Sequence, residues 1–242
     1  MKNLSLRTVT VMRYILPLRE GGSLPALAEA DDDFKYVIKF RGAGHGVKML
    51  ISELLGGMIA SKLELQIPEL VFANLDVDFG RMEADEEIQD LLKFSEGLNL
   101  GLHFLSGAIA YDSSITIDAV LASKIVWLDA FITNIDRTFK NTNLMMWHKE
   151  LWVIDNGASF YFHHSWQNFD AAAKTPFKYV KDHVLLSQAT QLREADLFAK
   201  EHLNDEFFRN LVDLIPDEWL QWNDADETPD EIRQVYFQFM KT

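Results

Sequence analysis

The order in which two hydrophobic periodicities occur along the chain restricts its fold more than any other feature. Alternating apolar residues typical of β-strands dominate residues 8–40, and apolar residues at helical spacing follow over 50–65. Two more strand patterns, at 69–75 and 98–104, complete the first part, and the rest of the chain is mainly helical in pattern. Strands around one helix, then a helical half, predict a two-lobed α+β protein with its site between the lobes.

Composition supports a globular protein and excludes several classes of function. The 242 residues are 48% hydrophobic and 12% aromatic, which is enough for a sizeable core. The net charge of −14 disfavours nonspecific attraction to nucleic acid or to an anionic membrane. Without cysteine, the chain has no disulfides, thiolate catalysis or Cys–zinc sites. No signal peptide or membrane span is visible, so we expect a cytoplasmic protein with no direct nucleic-acid or membrane partner.

Residues 134–160, NIDRTFKNTNLMMWHKELWVIDNGASF, carry the strongest chemical signal. They follow a helix predicted from about 113 to 134, and they contain a predicted hairpin of strands 144–147 and 151–154. The segment has an aspartate after the helix, asparagines just beyond it, and another aspartate after the hairpin. A protein kinase uses carboxylates and an amide in this order to move a phosphoryl group.

Asp136 is the candidate catalytic base, and three later residues are candidate metal ligands. Asn141 stands five positions after Asp136, which is the spacing of the kinase catalytic loop. Asn143 stands seven positions after it and directly precedes an apolar strand, so spacing favours Asn141 and strand register favours Asn143. Asp155 ends a strand before Asn-Gly and suits Mg²⁺, although the same residues alone could form a type I′ turn.

In the first part of the chain, Lys39 and Glu53 are the candidate charged pair. Lys39 ends the predicted strand 36–40, from which an ammonium group can reach nucleotide phosphates. Glu53 lies on the following helix and could hold that ammonium group in position. Taken alone, Lys39 fits a solvated strand-end lysine better than a phosphate ligand, and Glu53 could equally be a surface glutamate. Gly56 and Gly57 on the same helix cost on the order of 1 kcal/mol each relative to alanine, which predicts a closely packed neighbour.

Two glycine-containing segments are candidates for contacting phosphates. Gly21, Gly22 and Ser23 lie in the turn of the first predicted hairpin, where kinases have their phosphate lid. Residues 41–46, RGAGHG, join a strand to a helix and follow the pattern GxGxG, which is neither the dinucleotide fingerprint nor a Walker motif. This second segment is either a flexible connector or a phosphate-lining loop.

The ordered set of motifs resembles the HipA-like kinases and, more distantly, the phosphoinositide kinases. The matching segments span about residues 8–166 and are Val37-Ile38-Lys39, Glu53 with Leu65-Gln66-Ile67-Pro68, Asn134-Ile135-Asp136-Arg137 with Asn141, and Ile154-Asp155-Asn156-Gly157. The resemblance implies a protein-kinase-like fold over residues 1–242, with a β-rich N-terminal lobe to about 103 and a mainly helical C-terminal lobe from about 107.

The resemblance also implies ATP and Mg²⁺ as cofactors and a role for each candidate. Lys39 would contact the α- and β-phosphates, Asp136 would be the base, and Asp155 with Asn141 or Asn143 would bind magnesium. The connector of His103, Phe104 and Leu105 would face adenine through its backbone. Thr138 occupies a position that is basic or histidine in many relatives, and Lys140 or Arg137 is the candidate substitute for that side chain.

We therefore expect an ATP- and Mg²⁺-dependent phosphotransferase whose acceptor is a protein Ser/Thr or a small molecule. One alternative is a nucleotide-binding pseudokinase that acts as a regulatory or interaction module. Another is a binding domain whose acidic segments, 85–90 and 224–231, recruit a basic partner.

Overall fold

The computed structural model describes residues 4–18, 24–44, 46–77, 79, 85–221 and 227–242. In its N-terminal half, five strands form a closed barrel in the order β1-β2-β3-β5-β4. The strands are β1 (Thr8–Pro17), β2 (Ala26–Ala30), β3 (Lys35–Lys39), β4 (Leu70–Leu75) and β5 (Gly97–His103). The parallel pairing of β1 with β4 closes the barrel, and the other pairs are antiparallel.

Strand β5 differs from its predicted half-buried pattern because both of its faces are covered. Residues Asn99 to Leu102 are all buried. Leu100 and Leu102 pack into the core that the barrel shares with the helices. Gly101 faces the barrel interior so closely that an added Cβ would lie 2.8 Å from Val71.

Helix α1 (Gly46–Lys62) connects β3 to β4 and begins four residues earlier than the sequence predicted. Its two central glycines have the close neighbours expected of them. A Cβ on Gly56 would lie 2.7 Å from the side chain of Asn156, and a Cβ on Gly57 would lie 2.7 Å from Leu70. The acidic segment before β5 forms helix α2 (Glu86–Phe94).

The C-terminal half consists of a small sheet and several helices. The sheet has the order β6-β7-β8, from β6 (Ile109–Ala110), β7 (Leu144–Trp147) and β8 (Glu150–Val153). The helices are α3 (Ala119–Phe131), α4 (Phe169–Ala173), α5 (Leu192–His202), α6 (Asp205–Val212) and α7 (Pro229–Lys241). Asp118 caps α3, and Thr228 with Glu231 forms the capping box of α7. None of the helices described here is long and apolar enough to cross a membrane.

The two halves are joined by a segment near the C-terminus that returns to the barrel. Trp219 is fully buried, and its indole donates to the carbonyl of Leu98 at 2.9 Å. Its neighbour Glu218 forms an ion pair with Arg41, which follows β3. These contacts fix the barrel against the helices, and the site cleft lies between the two halves.

Candidate active site

A cleft of about 790 Å³ brings together candidates that are far apart in the sequence. Its lining includes Lys39, Asp136 and Asp155, the two candidate asparagines Asn141 and Asn143, and the connector residues His103, Phe104 and Leu105. Gly21, Gly22 and Ser23, predicted as the phosphate lid, lie outside the described residues.

Glu53 binds two segments at the base of the cleft at once. Its Oε2 accepts from Lys39 Nζ at 2.7 Å and from the backbone amide of Asn156 at 2.8 Å. The same Nζ donates to Asp155 Oδ1 at 2.6 Å. The sequence predicted the Lys39–Glu53 pair, but it gave no signal for the amide contact. One carboxylate on α1 thus fixes both the strand-end lysine and the turn after β8.

Opposing effects of burial and charge act on this cluster. Burial alone lowers the pKa of Lys39, but the carboxylates of Asp155 and Glu53 overcome it, so the pKa is raised and the amine stays charged. The nearby ammonium holds the pKa of Asp155 below its usual range. Asp155 is therefore a charged oxygen donor at neutral pH.

Asp136 follows α3 in a loop, and both candidate asparagines bind it. Asn141 Nδ2 and Asn143 Nδ2 donate to the same oxygen, Asp136 Oδ2, at 2.7 and 3.1 Å. Asn141 is exposed, whereas Asn143 is buried directly before β7. The backbone amide of Ile154 donates to the carbonyl of Asn143 at 3.1 Å, which keeps Asn143 beside the strand end that carries Asp155.

Four residues in the two segments that carry Asp136 and Asp155 have left-handed backbone conformations that are uncommon outside glycine. Thr133, Asn143, Asp155 and Phe160 have φ values of 54°, 48°, 54° and 52°. Such conformations cost on the order of 1–3 kcal/mol each and persist only where surrounding contacts fix them. Their concentration in the loops that carry the polar side chains indicates a backbone shaped by those contacts.

Apolar residues from both halves form a slot beside the charged cluster. They are Val37 from the barrel, Met49 from α1, Leu102 from β5, Met145 from the small sheet, and Ile154 directly after β8. A slot of this kind, next to the backbone of residues 103–105, suits a planar heterocycle.

The segment 41–46 does not form a loop over the cleft in its described part. Gly42 packs against the end of α2, where a Cβ would lie 2.7 Å from the Phe94 backbone, and its amide donates to Ser95 Oγ at 3.1 Å. Of the two alternatives that the sequence left open, the contacts of Gly42 favour the connector.

A buried polar cluster under the loop that carries Asp136 was not predicted. Asp129, Arg137 and His183 are 1%, 1% and 5% exposed. Arg137 therefore cannot reach a phosphate, and the suggestion that it substitutes for a basic residue at Thr138 is wrong. Asp129 is a carboxylate inside the apolar run of α3, which is a signal that sequence analysis could have used; His183 had no such signal.

The donor set of the cleft fits a magnesium ion. Mg²⁺ prefers one or two protein carboxylates together with phosphate oxygens. Asp155 offers a carboxylate, and each asparagine offers an amide oxygen, all of them hard ligands. Among the described residues, no group of three or more His, Asp or Glu side chains could hold a metal.

Comparisons with known proteins identify relatives of this fold. A family model described as HipA-like kinase matches residues 11–241. The crystal structure of the Helicobacter pylori proinflammatory kinase CtkA matches with a TM-score of 0.56 at 12% identity, over 90% of this chain and 88% of that one. The Golgi casein kinase with Mn/ADP bound gives a TM-score of 0.48 at 11% identity, over 98% and 72% of the two chains. No curated protein matches the chain.

Proposed function

This chain belongs to the HipA-like kinase family, and from this premise we propose that it is an ATP- and Mg²⁺-dependent kinase. The γ-phosphoryl group would pass to a hydroxyl group of a protein Ser/Thr or of a small molecule. The observation that supports this best is the cluster of Lys39, Glu53 and Asp155, which shares one cleft with Asp136. The domain would span 1–242, with lobes of about 1–103 and 107–242.

The nucleotide would lie with its base in the apolar slot and its phosphates toward the charged cluster. Val37 and Met145 would pack against adenine, and the backbone of His103, Phe104 and Leu105 would face its edge. Lys39, held by Glu53, would contact the α- and β-phosphates. Gly21, Gly22 and Ser23 stay predicted as the lid over the phosphates.

Magnesium, when bound, would neutralise charge on the β- and γ-phosphates. Asp155 would supply its carboxylate, and one asparagine would supply an amide oxygen. The hydrogen bond from the Ile154 amide to the Asn143 carbonyl favours Asn143 over Asn141, because it keeps Asn143 next to Asp155.

Asp136 would orient the acceptor hydroxyl and accept its proton. The acceptor oxygen forms a bond to the γ-phosphorus as the bond from that phosphorus to the β,γ-bridging oxygen breaks. ADP leaves with the electron pair of the broken bond, and the proton passes from Asp136 to solvent. Because these residues are held before the substrate binds, the site contributes mainly position and charge.

The first test is the melting temperature with and without Mg²⁺-ATP. Ligand at about 100 times its dissociation constant adds roughly 2.7 kcal/mol, or about 5–11 °C for a chain of this size. We expect a magnesium-dependent shift in the wild type that is lost in Asp155→Ala and kept in Asp90→Ala, a change on the exposed face of α2. No shift at millimolar Mg²⁺-ATP would refute the proposal.

Turnover tests the role of the base. Consumption of Mg²⁺-ATP should disappear in Asp136→Ala while the ATP-induced shift in melting temperature remains. Unchanged turnover in that variant would show that Asp136 is not the base.

One observation favours the alternative of a nucleotide-binding pseudokinase. Both asparagine amides donate to the same Asp136 oxygen, and the adjacent Arg137 is buried away from the cleft. This arrangement occupies one oxygen of the base, and no arginine among the described residues lines the cleft. A melting shift with Mg²⁺-ATP and no phosphoryl transfer to any acceptor or to water would establish this alternative.

A further inference from the structure

Asp129 is the centre of the buried polar cluster beneath the catalytic loop. Its Oδ2 accepts from Arg137 Nε at 2.6 Å and from His183 Nε2 at 2.8 Å. Its Oδ1 accepts from Asn134 Nδ2 at 2.9 Å and from Arg137 Nη2 at 3.3 Å. Both oxygens of a fully buried carboxylate are therefore used, with two partners each.

The partners of Asp129 reach both halves of the proposed chemistry. Arg137 Nη1 donates to the carbonyl of Asn143 and, at 2.9 Å, to that of Ile154. Arg137 Nη2 donates to Asn156 Oδ1 at 2.9 Å, so one guanidinium fixes the residues on both sides of Asp155. On the other side, Asn134 Oδ1 accepts from the backbone amide of Asp136 at 3.0 Å.

Stability alone does not account for such a cluster. Replacing a buried ion pair by apolar side chains is often neutral or stabilising, since the desolvation of two charges offsets their attraction. A fully bonded polar network instead holds its members in one geometry. The members here belong to the two loops that carry Asp136 and Asp155.

We infer that Asp129 is a positioning residue, which sets the distance and orientation between the base Asp136 and the metal ligand Asp155. It acts through Asn134 on the first loop and through Arg137 on the second. This inference rests on the proposed function, since it concerns the same site. Asp129 itself touches neither nucleotide nor metal.

Asp129→Asn is the direct test, because it keeps the shape and one acceptor oxygen and removes the charge. We expect the Mg²⁺ concentration that gives half of the ATP-induced melting shift to rise roughly 10- to 100-fold. In turnover, kcat should fall by roughly 10- to 100-fold, the effect of misplacing reacting groups by about 1 Å. The dissociation constant for ATP without metal should stay unchanged, because Lys39 and residues 103–105 do not contact the buried polar cluster around Asp129.

The matched control is Glu218→Gln, which also removes one carboxylate charge from an ion pair, but at the junction of the barrel and helices. It should lower the melting temperature without moving the Mg²⁺ midpoint. Equal Mg²⁺ midpoints and kcat in wild type and Asp129→Asn would overturn the inference. A fall in the kcat of Asp129→Asn that is only proportional to the fall in its fraction of folded protein would also overturn the inference.

If Asp129→Asn does not fold, Asn134→Ala serves in its place, because it leaves the buried ion pair intact. It should lower kcat while the Mg²⁺ midpoint stays at the wild-type value, and a wild-type kcat would overturn the inference. The Mg²⁺ midpoint in Asp129→Asn is measured from the melting shift and requires no catalytic turnover. The inference can therefore be tested even if the protein is a pseudokinase. No melting shift in the wild type would refute the proposed function and this inference together; a wild-type shift with an unmoved midpoint and kcat would refute this inference alone.

Discussion

Lys39 Nζ lies 2.6 Å from Asp155 Oδ1, although the two residues are 116 positions apart in the chain. The ammonium group therefore binds the carboxylate that is proposed to hold the metal, and Glu53 completes the pair from α1. This contact joins the barrel to the small sheet of the helical half at the floor of the cleft.

The first prediction concerns the buried charges of this contact. Lys39→Met leaves the Glu53 carboxylate buried without its cation, which should lower the free energy of unfolding by about 3–5 kcal/mol. The double variant Lys39→Met/Glu53→Gln should regain part of that loss, and neither variant should turn over ATP. Urea unfolding and an ATP turnover assay measure the two effects. A double variant as unstable as Lys39→Met would contradict the explanation.

The second prediction concerns the close approach of α1 to the turn after β8. Propensity alone would make Gly56→Ala stabilising by about 1 kcal/mol. A Cβ there would instead lie 2.7 Å from Asn156, so we expect a loss of about 1–3 kcal/mol from overpacking and a weaker Mg²⁺-ATP melting shift. Gly44→Ala, whose Cβ would meet nothing within 4 Å, is the control and should leave the shift unchanged. A stabilised Gly56→Ala with a normal shift would argue against the proposed packing.

The third prediction concerns pH and His163, a buried residue whose Nδ1 lies 3.1 Å from the hydroxyl oxygen of Tyr236 on α7. Burial, with the charges of His164 and Lys48, lowers the pKa of His163 from 6.5 to about 3. Below pH 6.5 the unfolded chain therefore binds a proton that the folded protein does not bind until about pH 3. As the pH is lowered from 6.5 towards 3, the free energy of unfolding should therefore fall, and His163 contributes at most about 1.4 kcal/mol per pH unit to this fall.

Chemical unfolding at pH 5.0 to 7.5 measures that slope. His163→Gln should flatten the slope between pH 5 and 6.5, and His148→Asn, in the exposed turn between β7 and β8, should keep it. Equal slopes in wild type and His163→Gln would show that His163 does not control this part of the pH dependence.

The fourth prediction separates the two candidate asparagines. Asn143 is buried beside Ile154, whereas Asn141 is exposed, although both donate to Asp136. Asn143→Ala should raise the Mg²⁺ concentration needed for half of the ATP-induced melting shift, roughly 10-fold or more. Asn141→Ala should have a much smaller effect on this midpoint. The reverse order would identify Asn141 as the metal ligand.

Much of the fold was predictable because it depends on local patterns. The turn between β7 and β8, the capping of α7 by Thr228 and Glu231, and the close neighbours of Gly56 and Gly57 follow from residue type and spacing. The burial of β5 on both faces was not predictable in this way, because the closure of the barrel depends on the distant pairing of β1 with β4.

The residues of the candidate site likewise fall into those that the sequence predicted and those that it did not. Lys39, Glu53, Asp136 and Asp155 could be named because charged residues at strand and helix ends leave a pattern in the sequence, and their roles stay predictions until the variants are measured. The sequence offers Arg137 as a candidate phosphate contact, but the fold buries it against Asp129. Burial of a charge depends on what packs over it, and no local pattern reports that.

The sequence by itself therefore determined the α+β order, the capped start of α7 and the identity of the polar residues at the ends of strands, since these depend on neighbours along the chain. Only the tertiary structure decided which of them meet. Glu53 binds both Lys39 and the amide of Asn156, and Arg137 binds the loops around Asp155, because barrel, helix and small sheet converge there. Hydrogen bonds between distant segments depend on the packing of the whole chain, which no single segment encodes.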